Sequence, residues 1–240
     1  MKAIVSMLVL THNAPEYVEK TIVSVAEHTK NVEYELVVVD NASEERTRNL
    51  VIELRERGLI HKLQLLDYNS LFAKGNNIAA SLASENATHF LLLNSDVEVR
   101  SPEWLSTLLA SHRQGISAYG IVASPPRRVD GYCLLIDAPL YRNYQLDERF
   151  QWWWSVTQLQ ANVLRDGYSV LGFEKHEQYL HHFGGKSGPS FTGAKGMDVC
   201  QLEVLSWFGI NKIAIENPSR GRQLKDFGKK IVTSLVPIRQ

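Results

Sequence analysis

Short apolar runs separated by amphipathic stretches lay out the first hundred residues. Ala3 to Leu10 is an almost unbroken apolar run of strand length, closed by Thr11-His12-Asn13. Pro15 suits the first turn of a helix, and Val18, Ile22 and Val25 behind it recur at helical spacing. Glu35 to Val39 reads as a second strand ending in Asp40, and Ser43 is placed to cap a helix that stops near Gly58. Lys62 to Leu66 is a weaker third strand. A polar loop through Asn69 leads to a helix holding Ile78 and Leu82, and His89 to Leu93 forms a fourth strand. Ser101-Pro102-Glu103 pairs a cap residue with an N1 proline, so another helix opens there. This alternation predicts an α/β fold with a mostly parallel sheet covered on both faces.

The later pattern is less regular. Tyr119 to Ala123 and Tyr132 to Ile136 read as strands, with Pro125-Pro126-Arg127-Arg128 an exposed loop between them. Trp154 to Arg165 reads as a helix closed by Gly167, followed by a strand over Tyr168 to Leu171. Gly184 to Ala194 is rich in Gly, Ser, Pro and Thr and reads as a loop. Beyond it the chain has helix-like and basic character without a clear period.

Composition narrows the partners. A formal net charge of +0 provides no overall field for nucleic acid or an anionic membrane, so nucleic acid is not expected to bind. Local basic patches remain, at Arg127-Arg128 and from Lys225 to Lys230. Cys133 and Cys200 sit in no metal or redox spacing and read as small core residues in a reducing compartment. No apolar run reaches spanning length, so no transmembrane segment and a cytoplasmic location are expected.

The candidate chemistry lies at the strand ends. In an open α/β sheet, ligands sit beyond the carboxyl ends of the strands. The apolar run Phe90 to Leu93 ends in Asn94-Ser95-Asp96, with Glu98 two residues on. Carboxylates there offer hard oxygen ligands where Mg²⁺ or Mn²⁺ could meet a diphosphate. Thr11-His12-Asn13 and Asp40-Asn41-Ala42-Ser43 should converge on the same crevice. Asp40 has the chemistry to accept a hydrogen bond from the N3–H of a uracil or thymine ring, and the amide side chains suit ribose and phosphate oxygens. Lys74-Gly75-Asn76-Asn77 adds a cation near a helix start, a favourable place for an anion. Turn and cap roles compete with ligand binding for each Asx residue taken singly.

Four segments in this order, Val9 to Asn13, Val37 to Ser43, Gly75 to Asn77 and Leu92 to Asp96, resemble the family 2 glycosyltransferases of GT-A fold. The resemblance implies a Rossmann-like, mostly parallel sheet flanked by helices, with a smaller acceptor-side region. It implies a domain over residues 1–190, divided into a nucleotide-sugar half (1–100) and an acceptor half (101–190), with a C-terminal extension over 191–240. The donor would be a nucleoside diphosphate sugar, with a UDP-sugar foremost, and the acceptor a hydroxyl on a glycan or lipid-linked molecule in surface-polysaccharide assembly. Thr11, Asn13, Asp40, Asn41, Lys74, Asn76 and Asn94 fall on the nucleotide side, and Asp96 on a Mn²⁺ or Mg²⁺ ion. Further on, Gly131 to Ile136 is similar to the family's acceptor-side strand and Leu146 to Phe150 to its F-D-E-x-F segment. Arg165 to Tyr168 resembles its R-x-G-[YW] helix end. His181-His182 is similar to a late histidine pair, one of which completes the metal shell. Trp152, Trp153 and Trp154 offer aromatic faces to an acceptor, although consecutive helical residues cannot all line one site.

One departure stands out. Ser155-Val156 occupies the position where the family usually carries Glu-Asp, and valine cannot accept a proton. Asp147, Glu148 and Asp137 are the nearest carboxylates by sequence that could act as base. An acidic acceptor or a retaining transfer would need none. The alternative from a different class is a sugar-nucleotide-binding module without turnover. A nucleotidyltransferase would need a glycine- and lysine-rich loop after the first strand, and Thr11-His12-Asn13-Ala14-Pro15 is not one.

Overall fold

A computed structural model describes residues 2–186 and 194–216. The first half follows the apolar pattern: β1 (Ile4–Thr11), α1 (Pro15–His28), β2 (Glu33–Asn41), α2 (Glu45–Glu56), β3 (Lys62–Leu66), α3 (Leu71–Leu82) and β4 (His89–Asn94). Then come β5 (Val97–Val99), α4 (Trp104–Ser111), β6 (Gly115–Tyr119), β7 (Ile121–Val122), β8 (Arg128–Val129) and β9 (Cys133–Asp137). The chain continues through α5 (Ala138–Tyr144), α6 (Trp152–Arg165), β10 (Ser169–Phe173), β11 (Leu180–His182), α7 (Gln201–Phe208) and β12 (Ala214–Glu216).

The main sheet has eight strands in the order β12-β10-β6-β9-β4-β1-β2-β3. β9 alone runs against its neighbours, β4 and β6, while every other pairing in this sheet is parallel. Both faces are covered, as expected for an α/β sheet. Val5, Met7 and Val9 of β1 pack with Val18, Ile22 and Val25 of α1 and Trp104 of α4 on one side. Leu8, one residue out of phase, packs with Ala73 and Ala79 of α3 and Leu159 of α6 on the other. Strand alternation thus divides one apolar run between two cores.

Several details differ from the sequence reading. The strand expected over 119–123 is divided at Gly120, which adopts φ 91°: β6 ends at Tyr119 and Ile121–Val122 forms the separate short strand β7. Ser43 does not cap α2; its side chain bonds Asp40 instead. Arg128 is buried, its guanidinium donating to Ser124 and Pro126 carbonyls, and Cys200 is exposed rather than core. β12 lies within the stretch read as an extension, yet it pairs with β10 in the main sheet. Part of the loop read over 184–194, and the basic run from 225 to 230, lie outside the described residues. Among the described residues, no helix is long and apolar enough to cross a membrane.

Candidate active site

Parallel register aligns the strand tips as expected: Thr11 lies opposite Asp40, and Leu10 opposite Asn94. Their side chains do not all face one space. The Asp40 carboxylate is wholly buried. Its Oδ2 accepts from Thr11 Oγ1 (2.9 Å) and Ser43 Oγ (2.5 Å), and its Oδ1 from the Ser43 N–H (3.1 Å), with Arg48 Nη1 at 3.9 Å. Asp40 and Thr11 therefore hold the turn after β2, and neither lines the cleft. Asn13 is likewise committed, its Oδ1 accepting from the Glu44 N–H at 2.8 Å. Lys74 is exposed on α3 with its ammonium 5.3 Å from the centre of the Tyr68 ring, not at an anion site. That helix starts at Leu71, earlier than the Lys74 motif, and its Ala73 N–H donates to Gln151 Oε1 (3.1 Å).

Beside these tips lies a cleft of about 320 Å³. His12, Asn41, Asn69 and Asn76 line one wall, and Trp152, Trp153 and Val156 the other. Asn94, Asp96, Asp130, Tyr132, His182 and Lys186 complete it. Asn41 is held in place by donation from Ser70 N (2.6 Å) and Ser70 Oγ (2.7 Å) to its Oδ1. Trp154 is turned out of the cleft and donates its indole N–H to the Met197 carbonyl (3.0 Å).

Asp96 and His182 meet because β11 pairs antiparallel with β5, which sets His182 opposite Val97. His182 Nε2 stands 3.1 Å from Asp96 Oδ1. Asn94 Nδ2 is 3.4 Å from the same nitrogen, and Tyr132 stacks on the imidazole at 4.3 Å. The Phe183 N–H donates to the Asp96 carbonyl at 3.0 Å and fixes the turn. On α1, Thr21 and Ser24 accept from the Val97 and Val99 N–H groups and so anchor β5. Strand alternation sends His181 to the other face, edge-on to Phe183 at 4.6 Å, so it is not part of the pair. Glu98 also faces away, paired with Lys20 (3.5 Å) and Arg100 (2.9 Å). A carboxylate and an imidazole sharing one point, in a cleft with space beside them, fit a divalent cation completed by substrate oxygens. The mixed N/O set suits Mn²⁺ at least as well as Mg²⁺.

None of the three carboxylates nominated as base reaches the cleft. Asp147 is gripped by Arg149 through Nε (3.0 Å) and Nη2 (2.6 Å), with Gln158 Nε2 at 3.3 Å. The Arg149 contact holds its carboxyl below the ordinary range. Glu148 accepts from Asn77 Nδ2 at 3.3 Å on the surface. Asp137 ends β9 at the opposite edge of the sheet, beside His112. Val156, 2% exposed, does line the cleft. The cleft lining also includes Asp130, whose Oδ1 accepts from the Gly131 N–H at 2.7 Å. Asp130 and Lys186 escaped the sequence reading. Asp130-Gly131 looks like a turn signal, and only its position before the strand Cys133–Asp137, at the carboxyl edge, could have flagged it.

The profile of Glycosyl transferase family 2 matches residues 6–157. No curated protein sequence matches the chain. Among solved structures, TarS 1–349 from S. aureus is similar at TM-score 0.53 and 19% identity, over 68% of this chain and 56% of that one. The same fragment solved in complex with UDP gives the same values. The mannosyltransferase PcManGT from Pyrobaculum calidifontis, in complex with GDP-Man and Mn²⁺, is similar at TM-score 0.59 and 18% identity. That match covers 71% of this chain and 54% of the mannosyltransferase, so the chain spans about half the length of these neighbours. At such identities the likeness speaks for the fold, which agrees with the mostly parallel sheet and its carboxyl-edge cleft. With the profile covering more than half of its residues, the chain belongs to glycosyl transferase family 2.

Proposed function

We propose that this chain transfers a sugar from a nucleoside diphosphate donor, a UDP-sugar foremost, to a hydroxyl of a glycan or lipid-linked acceptor. The observation that carries this is the meeting of Asp96 and His182 at 3.1 Å in a cleft that also presents Asp130. Asp96 and His182 would hold a Mn²⁺ or Mg²⁺ ion, with Asn94 beside them. When bound, the cation shields the charge that develops on the departing diphosphate. Lys186 borders the cleft through its backbone, its N–H donating to Asp96 Oδ2 (3.4 Å), while its ammonium lies 5.4 Å from the centre of the Tyr17 ring. His12, Asn41, Asn69 and Asn76 offer the polar wall for the nucleoside, while Asp40 and Thr11 keep its turn rigid from behind. Trp152 and Trp153 supply aromatic faces on which sugar rings stack. Asp130 takes the proton of the acceptor hydroxyl as general base.

The cleft position of Val156 favours a second reading, a binding module that holds the sugar nucleotide without turnover. One pair of measurements separates them. Calorimetry should show UDP binding strengthened by Mn²⁺ in the wild type and not in Asp96→Asn, and a donor panel with glycan acceptors should give a transferred product by mass spectrometry. UDP affinity indifferent to Mn²⁺ would refute the metal assignment. Mn²⁺-dependent binding with no product or donor hydrolysis across the panel would refute the enzyme and leave the binding module.

A further inference from the structure

A second gathering of ligand-type side chains lies at the opposite, amino-terminal edge of the sheet. His89 opens β4 and Asp137 ends β9, and antiparallel register sets them directly opposite one another. His112 follows α4, its ring meeting that of His89 edge-on at 5.1 Å. One ligand atom from each residue lies within 4.8 Å of the other two. β4 is six residues long, so its two ends are roughly 17 Å apart and this cluster is distinct from the Asp96–His182 pair.

We propose that His89, His112 and Asp137 bind a divalent cation of the zinc class, tying the start of β6 to the β4–β9 edge. The donor set is the first argument. Two imidazoles and one carboxylate are zinc ligands, with bonds of about 2.0–2.2 Å, which puts tetrahedral ligand atoms about 3.3 Å apart. His112 Nε2 and Asp137 Oδ2 already stand at 3.3 Å. The outer partners are the second. Zinc-binding imidazoles characteristically hold their other ring nitrogen on a fixed group. Here His89 Nδ1 meets Thr88 Oγ1 at 2.8 Å and His112 Nδ1 meets Ser117 Oγ at 2.9 Å. The Thr88 hydroxyl gives its proton to the Ile4 carbonyl (2.9 Å), so it accepts from His89 Nδ1–H, and the lone pair of His89 Nε2 is left for a ligand. The Gly115 N–H donates to Asp137 Oδ2 at 2.6 Å and orients the carboxylate in the same way. A hydrogen-bonded His112–Asp137 pair would account for two of these groups but not for the set of His89. A cavity of about 470 Å³ beside His89 and Asp137, reaching Lys2 and Tyr168, leaves the fourth position to water or a small ligand.

The test uses the full chain with the cleft pair silenced by Asp96→Asn and His182→Ala, next to the wild type. Titration with Co²⁺ should produce the visible absorption of a tetrahedral site in both proteins, and Zn²⁺ should displace it at one equivalent. His89→Gln and His112→Gln should each abolish the band with an unchanged circular dichroism spectrum. Thr88→Val, which removes no ligand, should weaken Zn²⁺ by about 10–100-fold. Absence of the band in the wild type overturns the proposal, whatever the variants do. So does a band that persists in folded His89→Gln and His112→Gln. A band present in the wild type and missing once the cleft pair is silenced assigns the ion to the cleft, and overturns it too.

Discussion

Asp130→Asn isolates the catalytic role proposed for that residue, because the structure shows what the substitution leaves in place. Asp130 contributes one internal hydrogen bond through its side chain, from the Gly131 N–H to Oδ1 at 2.7 Å. An asparagine carbonyl accepts that bond equally well, so stability should stay within about 0.5 kcal/mol of wild type. The proton-accepting capacity is lost. General-base catalysis contributes about 10²–10⁴-fold, so kcat should fall by that factor, equivalent to about 2.7–5.4 kcal/mol in the barrier. UDP affinity in the presence of Mn²⁺ should not change, since the cation pair is Asp96 and His182. The assay is initial-rate transfer to the preferred acceptor, with calorimetry of UDP on the same preparation. Val156→Asp in the Asp130→Asn background supplies the converse. A Cβ placed on Gly131 would lie 2.9 Å from Val156 Cγ2, so a carboxylate at 156 enters the same part of the cleft. Burying that polar group costs about 1–3 kcal/mol, and desolvation raises its pKa, which makes it a better base near neutrality. Recovery of roughly tenfold over Asp130→Asn is expected. An Asp130→Asn enzyme that keeps kcat within about threefold of wild type would refute the assignment. A kcat loss matched by lost Mn²⁺-dependent UDP affinity would move Asp130 to the metal instead.

Three further outcomes are expected. His182→Ala should cost at least about tenfold in Mn²⁺-dependent UDP affinity, whereas His181→Ala should cost nothing, and equal losses measured by calorimetry would contradict the alternation argument. Gly115→Ala should destabilise the fold by about 3 kcal/mol or more. Gly115 sits at φ +140°, and an added Cβ would lie 2.0 Å from the Ser169 carbonyl oxygen of the paired strand; an unchanged urea midpoint would refute this. Glu35 is partly buried, which pushes its carboxyl up, but donation from Ser6, Ser84 and Lys62 outweighs that and leaves its pKa below 4.5. Its folded-state pKa is depressed, so this stabilisation is complete above the unfolded value and disappears as pH falls through the folded one. Glu35→Gln should therefore flatten the acid side of the stability–pH curve, and an unaltered acid limb would contradict the sign.

The sheet was legible because its strands are continuous apolar runs long enough to bury on both faces, as in Val37-Val38-Val39 and Leu91-Leu92-Leu93. Asp96 was legible for the same reason, since the run before it fixes where the carboxyl edge falls. Asp40, Thr11 and Asn13 sit at the right edge too, but direction is set by neighbours that sequence does not display. Hydroxyls at Thr11 and Ser43 turn the Asp40 carboxylate inward, and the Glu44 N–H captures Asn13. Asp147 was misplaced by proximity, because Arg149 two residues on folds back over it. The helix-like character beyond residue 194 shows no period that would bound α7, and β12 is only three residues long and gains its identity from pairing with β10.

The proposed proton acceptance by Asp130 depends on how the two halves of the cleft are joined. Gln151, at the N-terminus of α6, bonds Ala73 of α3 across 78 residues of sequence, and Asn77 of α3 donates to the Leu146 carbonyl (2.9 Å) while accepting from Tyr141 (2.9 Å). Buried polar contacts of this kind have strict geometry, so they fix the spacing of α3 and α6 more tightly than apolar packing alone. With α6 pinned there, Val156 is pressed against Gly131, and a carboxylate at 156 would be desolvated by that contact. Of the described residues lining the cleft, only Asp96 and Asp130 are carboxylates. Asp96 is drawn to His182 by the β5–β11 pairing, which leaves Asp130, carried on the neighbouring turn, as the carboxylate available for the general-base role proposed above. The valine at 156 in α6 and the carboxylate before β9 thus belong to the same packing arrangement.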